Sequence, residues 1–212
     1  MRIVECSDSV VVVDKPAGLP AVPGRAPGLQ DCAASRVQAW CADARVVHRL
    51  DMATSGLMVL ARGAAAERAL ASAFVRRAVD KRYVAIVAGR VEPQADGGWA
   101  EIALPLAADW PARPKQKVDH AAGKPSLTRV RVLAHVDDFA QPCTRVELQP
   151  LTGRTHQLRV HLAAIGHPIV GDMLYAPELA SLAPRLLLHA TALVLPHPVR
   201  GDRLAFASAP PF

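Results

Sequence analysis

Apolar side chains recur at every second position along residues 126–136 and 143–148, around Val130, Val132, Val146 and Leu148, with Asp137 and Asp138 between the two runs. That period of two predicts a pair of antiparallel strands. The four valines at 10–13 read as a further buried strand, which Lys15-Pro16-Ala17-Gly18 turns the chain out of, followed by a loop rich in Pro and Gly. Residues 57–62, after a Thr54-Ser55-Gly56 turn, and residues 81–89, 99–104 and 185–195 carry strand-like runs, the last broken by Pro196 and Pro198. Helices are predicted over 31–43, capped by Asp31 with Ala33, Val37 and Trp40 on one face, over 64–77, and over 155–165, ending at Gly166. Strands and helices alternate without a regular βαβ repeat, which favours an α+β fold with a mainly antiparallel sheet.

The 212 residues suit one large domain or two closely packed halves. Cys6, Cys32, Cys41 and Cys143 lie apart without a CxxC pair, so neither a zinc knuckle nor a disulfide framework is suggested. No apolar run reaches the roughly 20 residues of a membrane span, and the N-terminus lacks the pattern of a signal peptide. A cytoplasmic protein without a membrane partner is expected. The net charge of +6 favours a polyanionic partner without identifying one.

Four stretches are candidates for chemistry. In VVHRLDMATSGLMVLAR, residues 46–62, the acid Asp51 follows His48 and Arg49 and precedes a small-residue turn and an apolar run. A strand end of this kind can hold one acid at a cleft mouth, although a turn Asp capping its neighbours is the plainer use. In LTGRTHQLRVH, residues 151–161, a Thr-Gly-Arg turn with Arg154 opens a helix that places Thr155 and Arg159 on one face, where Arg159 can pair with a carboxylate or a phosphate. The histidines in this stretch, His156 and His161, together with His167 beyond it, do not match a common zinc spacing. Lys81-Arg82-Tyr83 places an aromatic beside two cations at a strand start, suited to stacking on a base. Residues 110–118, WPARPKQKV, form a Pro-stiffened loop whose Arg113, Lys115 and Lys117 suit phosphate contacts or merely a solvated surface.

The segment HRLDMATSGLMVLAR closely resembles the active-site motif of the RluA family of pseudouridine synthases. The likeness extends to VVVDKPAGLPAVPGR, KRYVAIVAG, DWPARPKQKVD with GKPSLT, LTGRTHQLRVHLAAIGHPIVGDMLYA and PRLLLHATALVL. Asp14 departs from the pattern, standing where Asn is usual before KPAG, and the 80–82 run varies slightly. The resemblance implies the pseudouridine synthase catalytic fold, a mixed and mainly antiparallel sheet with helices and loops around a central RNA-binding cleft. It implies a single catalytic domain over 1–212, without a separate N-terminal S4-type domain. Asp51 would be the nucleophile, Arg159 its salt-bridge partner and Tyr83 the residue stacked on the target uracil. Arg49 would fill the space the uridine leaves, with His48, Lys81, Arg82, Arg113, Lys115, Lys117 and Arg154 also on the RNA. The implied partners are a 23S ribosomal RNA hairpin and a tRNA anticodon stem-loop. The implied chemistry needs no cofactor and no metal, and a monomer is expected. Two other readings remain: a non-catalytic RNA-binding or assembly chaperone on the same scaffold, and a metal-dependent nuclease, for which no carboxylate cluster is in view.

Overall fold

The computed structural model describes residues 1–24 and 30–212. Part of the Pro- and Gly-rich loop expected after Gly18, and the Arg25 that closes VVVDKPAGLPAVPGR, lie outside the described residues. In chain order the elements are β1 (Arg2–Cys6), β2 (Val10–Lys15), α1 (Ala33–Gln38), β3 (Ala44–Val46), β4 (Ser55–Arg62), α2 (Gly63–Val75), β5 (Asp80–Ala88) and β6 (Ala100–Ala103). They continue with β7 (Leu106–Ala108), β8 (Gln116–Val118), β9 (Leu127–Val136), β10 (Cys143–Pro150), α3 (Gln157–Ala164), a 3-10 turn (Pro177–Leu182), β11 (Leu188–Pro196) and β12 (Arg203–Ala207). The architecture is α+β. The chain forms two compact units, residues 1–81 with 189–211, and residues 82–188 with Phe212. Among the described residues no helix is long and apolar enough to cross a membrane.

In the first unit β1 pairs with β2 and β2 with β4, both antiparallel, in the register Val10↔Ala61, Val12↔Val59 and Asp14↔Leu57. β4 meets β3 at Val46↔Leu60 and runs parallel to β11 at His189↔Ser55. Alternation places Val10, Val12, Leu57, Val59, Leu193 and Leu195 on one sheet face, against Ala66, Leu70 and Ala73 of α2. Those three recur at helical spacing, so the apolar stripe on α2 is the one the sequence shows. Gly56 has φ +109, and a Cβ there would stand 2.3 Å from the Ala190 carbonyl oxygen, so this close parallel approach requires glycine.

The second unit is built on β5, β10, β9 and β6, each antiparallel to the next. Residues 126–136 and 143–148 form the expected hairpin as β9 and β10. Ile86, Cys143, Val170 and Leu187 make a buried cluster in this unit.

Two helices differ from expectation. α1 begins at Ala33 because Cys32, not Asp31, is the cap: its Sγ accepts the Ser35 N–H at 3.3 Å. Asp31 instead pairs with Arg36 at the surface, and Trp40 lies beyond the helix, 47% exposed rather than in the core. α3 begins at Gln157 because His156 adopts a left-handed backbone, φ 54 and ψ 17. Thr155 therefore lies outside the helix and does not share a face with Arg159. Gly166, with φ +84, ends the helix in the left-handed conformation expected.

Candidate functional site

In the first unit, the loop from Val47 to Thr54 presents Asp51 between β3 and β4. Its shape is fixed by main-chain bonds: Thr54 donates its N–H to the Asp51 carbonyl at 3.1 Å, and Gly18 donates its own to the Met52 carbonyl at 2.8 Å. Lys15 completes the clamp. It is fully buried, and its ammonium donates to the carbonyls of Leu19 at 2.7 Å, Pro16 at 3.0 Å and Met52 at 3.1 Å. One lysine thus joins the KPAG turn to the residue after Asp51. Asp51 itself is half-buried, and Arg49 is exposed.

His48 is not the cation its place beside Arg49 suggests. Its Nε2 accepts the Val59 N–H at 3.0 Å, which requires an unprotonated nitrogen, and its ring stacks on Phe74 with centroids 4.7 Å apart. The residue retains some surface, but the imidazole is enclosed. Desolvation first, and then the charge of Lys81, push its pKa from 6.5 to about 3. Burial also lowers the pKa of Lys81. As pH falls through 6.5 the unfolded chain protonates His48 while the folded chain resists until about 3, so the unfolded state binds more protons and stability falls in that window. The expected loss at this site is on the order of 2 kcal/mol between pH 6.5 and 5. Melting curves for wild type and His48→Gln test this, since the Gln carbonyl can still accept the Val59 N–H. The variant is expected to melt with the flatter pH dependence, and parallel curves would refute the assignment.

A buried polar chain anchors the start of β4. Ser208 donates its hydroxyl to Asp14 at 2.6 Å, so its oxygen accepts from Nε2 of His189 at 3.2 Å, and Nδ1 of His189 accepts the Ser55 hydroxyl at 2.8 Å. Arg2 closes the chain on Asp14 at 3.2 Å. Asp14 fixes the direction of every bond in this chain, which gives the departure from Asn a structural use. His189 has no role legible in the sequence.

In the second unit, Tyr83 is half-buried on β5 opposite Leu148, sharing a sheet face with Val130 and Thr128. α3 packs on that face: Gln157 donates to the Thr128 hydroxyl at 3.0 Å, and His161 meets Ser126 at 2.9 Å. Arg82 alternates to the opposite face. Its guanidinium lies 4.8 Å from the Trp99 ring, as does that of Arg131. Arg82 and Tyr83 therefore do not form one RNA-facing patch, because neighbours on a strand point to opposite sides.

Arg159, 4% exposed, makes a two-pronged ion pair with Asp172, Nε to Oδ2 at 2.8 Å and Nη2 to Oδ1 at 2.7 Å. The acid was missed in the sequence, where only its place in the GDMLYA segment marks it. Asp172 Oδ1 also accepts the N–H groups of Leu174 at 3.0 Å and Tyr175 at 3.1 Å. Gly171, with φ +77, admits this turn, since a Cβ would meet the Arg185 carbonyl oxygen at 2.0 Å. The three histidines considered as metal ligands have separate partners: His156 meets Tyr175 at 2.7 Å, His161 meets Ser126 and the Leu104 carbonyl, and His167 meets the Ala88 carbonyl at 2.9 Å.

The basic loop is the tip of the β7–β8 hairpin. Trp110 is 69% exposed with the Arg113 guanidinium 3.5 Å from its ring centre, Lys117 is exposed and Lys115 half-buried. Arg154 is exposed, its guanidinium reaching the Pro125 carbonyl at 3.4 Å. Such a tip offers an aromatic surface among cations, suited to phosphates and unstacked bases.

A family model described as RNA pseudouridylate synthase matches residues 9–164. The dual-specificity RNA pseudouridine synthase RluA of Escherichia coli K12 is 48% identical over 206 residues, covering 97% of this chain and 91% of that protein. The Pasteurella multocida protein of the same name is 46% identical over 213 residues, covering 100% and 94%. Among solved structures, human RNA pseudouridylate synthase domain containing 1 superposes with a TM-score of 0.81 at 30% identity, covering 100% of this chain and 84% of that one. Human RNA pseudouridylate synthase domain containing 4 gives 0.73 at 26% identity, covering 99% and 88%.

Proposed function

From the premise that this chain belongs to the RNA pseudouridylate synthase family and is an RNA pseudouridine synthase, we propose that it modifies two kinds of RNA, a 23S ribosomal RNA hairpin and a tRNA anticodon stem-loop. One observation carries this reading: the likeness to the dual-specificity relatives covers 97% of the chain at 48% identity. The exposed, cation-rich tip around Trp110 supports it, because a stacking surface among cations accepts loops of different sequence. The enzyme acts as a monomer in the cytoplasm, with one catalytic domain across residues 1–212.

The isomerisation breaks the N1–C1′ bond, rotates the detached uracil and joins C5 to C1′. The C5 proton is lost and N1 gains one, so nothing is oxidised and no group leaves. The uridine must first leave its stack, at a cost of a few kcal/mol. Tyr83 recovers part of this against the extruded base, and Arg49 enters the vacated space. The Asp51 carboxylate attacks the sugar or the base, or stabilises positive charge developing at C1′. Arg159 supplies the positive charge of the catalytic set. Arg113, Lys115, Lys117 and Arg154 hold phosphates.

Transcripts of both RNAs lacking pseudouridine, incubated with the enzyme and EDTA and mapped by carbodiimide-stop sequencing, test the reading. New stops in both substrates are expected. Stops in one alone would remove the dual specificity, and activity lost to EDTA would overturn the cofactor-free chemistry.

A further inference from the structure

Tyr175 takes no part in the chemistry above, yet three parts of the second unit converge on it. The backbone N–H of Gln116, the first residue of β8, donates to its hydroxyl oxygen at 2.8 Å. That oxygen lies 2.7 Å from Nδ1 of His156, with the two rings edge to face at 5.6 Å. The guanidinium of Arg159 sits 5.1 Å from the centre of the Tyr175 ring. An amide N–H can only donate, so the phenol oxygen accepts from Gln116. Its own proton then suits Nδ1, in the His156 tautomer protonated on Nε2.

Both ends of this contact are mechanically informative. His156 holds a left-handed backbone that a residue with a Cβ adopts at a steric cost, directly before α3. Its carbonyl accepts the Val160 N–H at 2.9 Å, so the backbone of His156 sets the first turn of the helix that carries Arg159. At the other end, Gln116 lies within the basic tip, and Asp109 and Lys115 close its turn through a main-chain bond of 3.0 Å. Asp172 binds the backbone N–H of Tyr175 and the Arg159 guanidinium through one carboxylate, which ties the backbone at Tyr175 to that guanidinium.

We propose that Tyr175 is a positioning residue that couples seating of RNA on the 109–118 tip to the placement of Arg159, with His156 as the strained joint. The proposal rests on the reading of the tip as an RNA grip and of Arg159 as part of the site. Loss of the hydroxyl bond lets the backbone at His156 relax, and that relaxation reaches the first turn of the helix that carries Arg159.

The test measures single-turnover pseudouridine formation at saturating RNA, RNA affinity and melting temperature. Tyr175→Phe keeps the ring beside Arg159 and removes the hydroxyl. It is expected to slow turnover about tenfold while RNA affinity stays within about twofold. His156→Gly, whose backbone favours the left-handed conformation but which offers no acceptor, is expected to match it. His156→Asn, which tolerates that conformation and has a carbonyl acceptor, is expected to recover most of the rate. Joint replacement of Lys115 and Lys117 by Ala is expected to weaken binding and slow saturated turnover in wild type, but only to weaken binding in Tyr175→Phe. Wild-type turnover in either Tyr175→Phe or His156→Gly, or identical effects of the lysine changes in both backgrounds, would overturn the coupling. If Tyr175→Phe fails to fold, His156→Gly decides the matter alone. A wild-type enzyme that forms no pseudouridine would defeat the functional reading itself, and the coupling would fall with it.

Discussion

Asp51→Asn is expected to abolish pseudouridine formation, by on the order of a thousandfold or more, while leaving RNA affinity near that of wild type. The two effects separate because different atoms produce them. The loop that presents residue 51 is held through main-chain groups: the Asp51 carbonyl receives the Thr54 N–H, and the Met52 carbonyl receives Gly18 and Lys15. An amide side chain changes none of these bonds and occupies nearly the same volume. What it removes is the negative charge and the nucleophilic oxygen, on which attack or charge stabilisation at C1′ depends. The measurement pairs carbodiimide mapping of the product with a binding isotherm on the same RNA. Ordinary product yield from the variant would sink the assigned role. Loss of affinity in step with turnover would move Asp51 from chemistry to binding.

The parts of this architecture legible in the sequence are those written in local periodicity. The valines of β2, the alternation of β9 and β10 and the Ala66, Leu70, Ala73 stripe of α2 each stand where their pattern puts them. The start of α3 was not legible, because the left-handed turn at His156 is held by a tyrosine 19 residues away in sequence. The clamp at Lys15 was hidden for a similar reason. Its bonds to the Pro16, Leu19 and Met52 carbonyls go to main-chain groups, which leave no mark on residue type. The short strands β1, β3, β7 and β8 carry too few alternations to stand out, whereas the alternating RLAFA of β12 did carry a signal. The opposite facing of Arg82 and Tyr83 was also available, since it follows from the period of any strand. For the site, residue identity pointed to the acid, the aromatic and the arginine, but not to Asp172, which fixes the arginine.

Asp172→Asn is expected to destabilise the protein by about 3–5 kcal/mol, because it neutralises the carboxylate that grips the buried Arg159 guanidinium at two points. At roughly 2–4 °C per kcal/mol for a chain of this size, the melting temperature should fall by about 10 °C. The amide oxygen of Asn still accepts from the Leu174 and Tyr175 N–H groups, so the loss reports the missing charge more than a broken turn. The side chains of Arg159 and Asp172 are 5% and 1% exposed, which leaves solvent little opportunity to replace the lost partner. A double variant, Arg159→Met with Asp172→Leu, separates stability from function. Removing both charges also removes the desolvation of each, so much of the stability is expected to return. Turnover is not expected to return with it, because the cation of the proposed catalytic set is gone. A wild-type melting temperature for Asp172→Asn would show that the pair is not what holds Arg159. An active double variant would show that Arg159 is dispensable for the isomerisation.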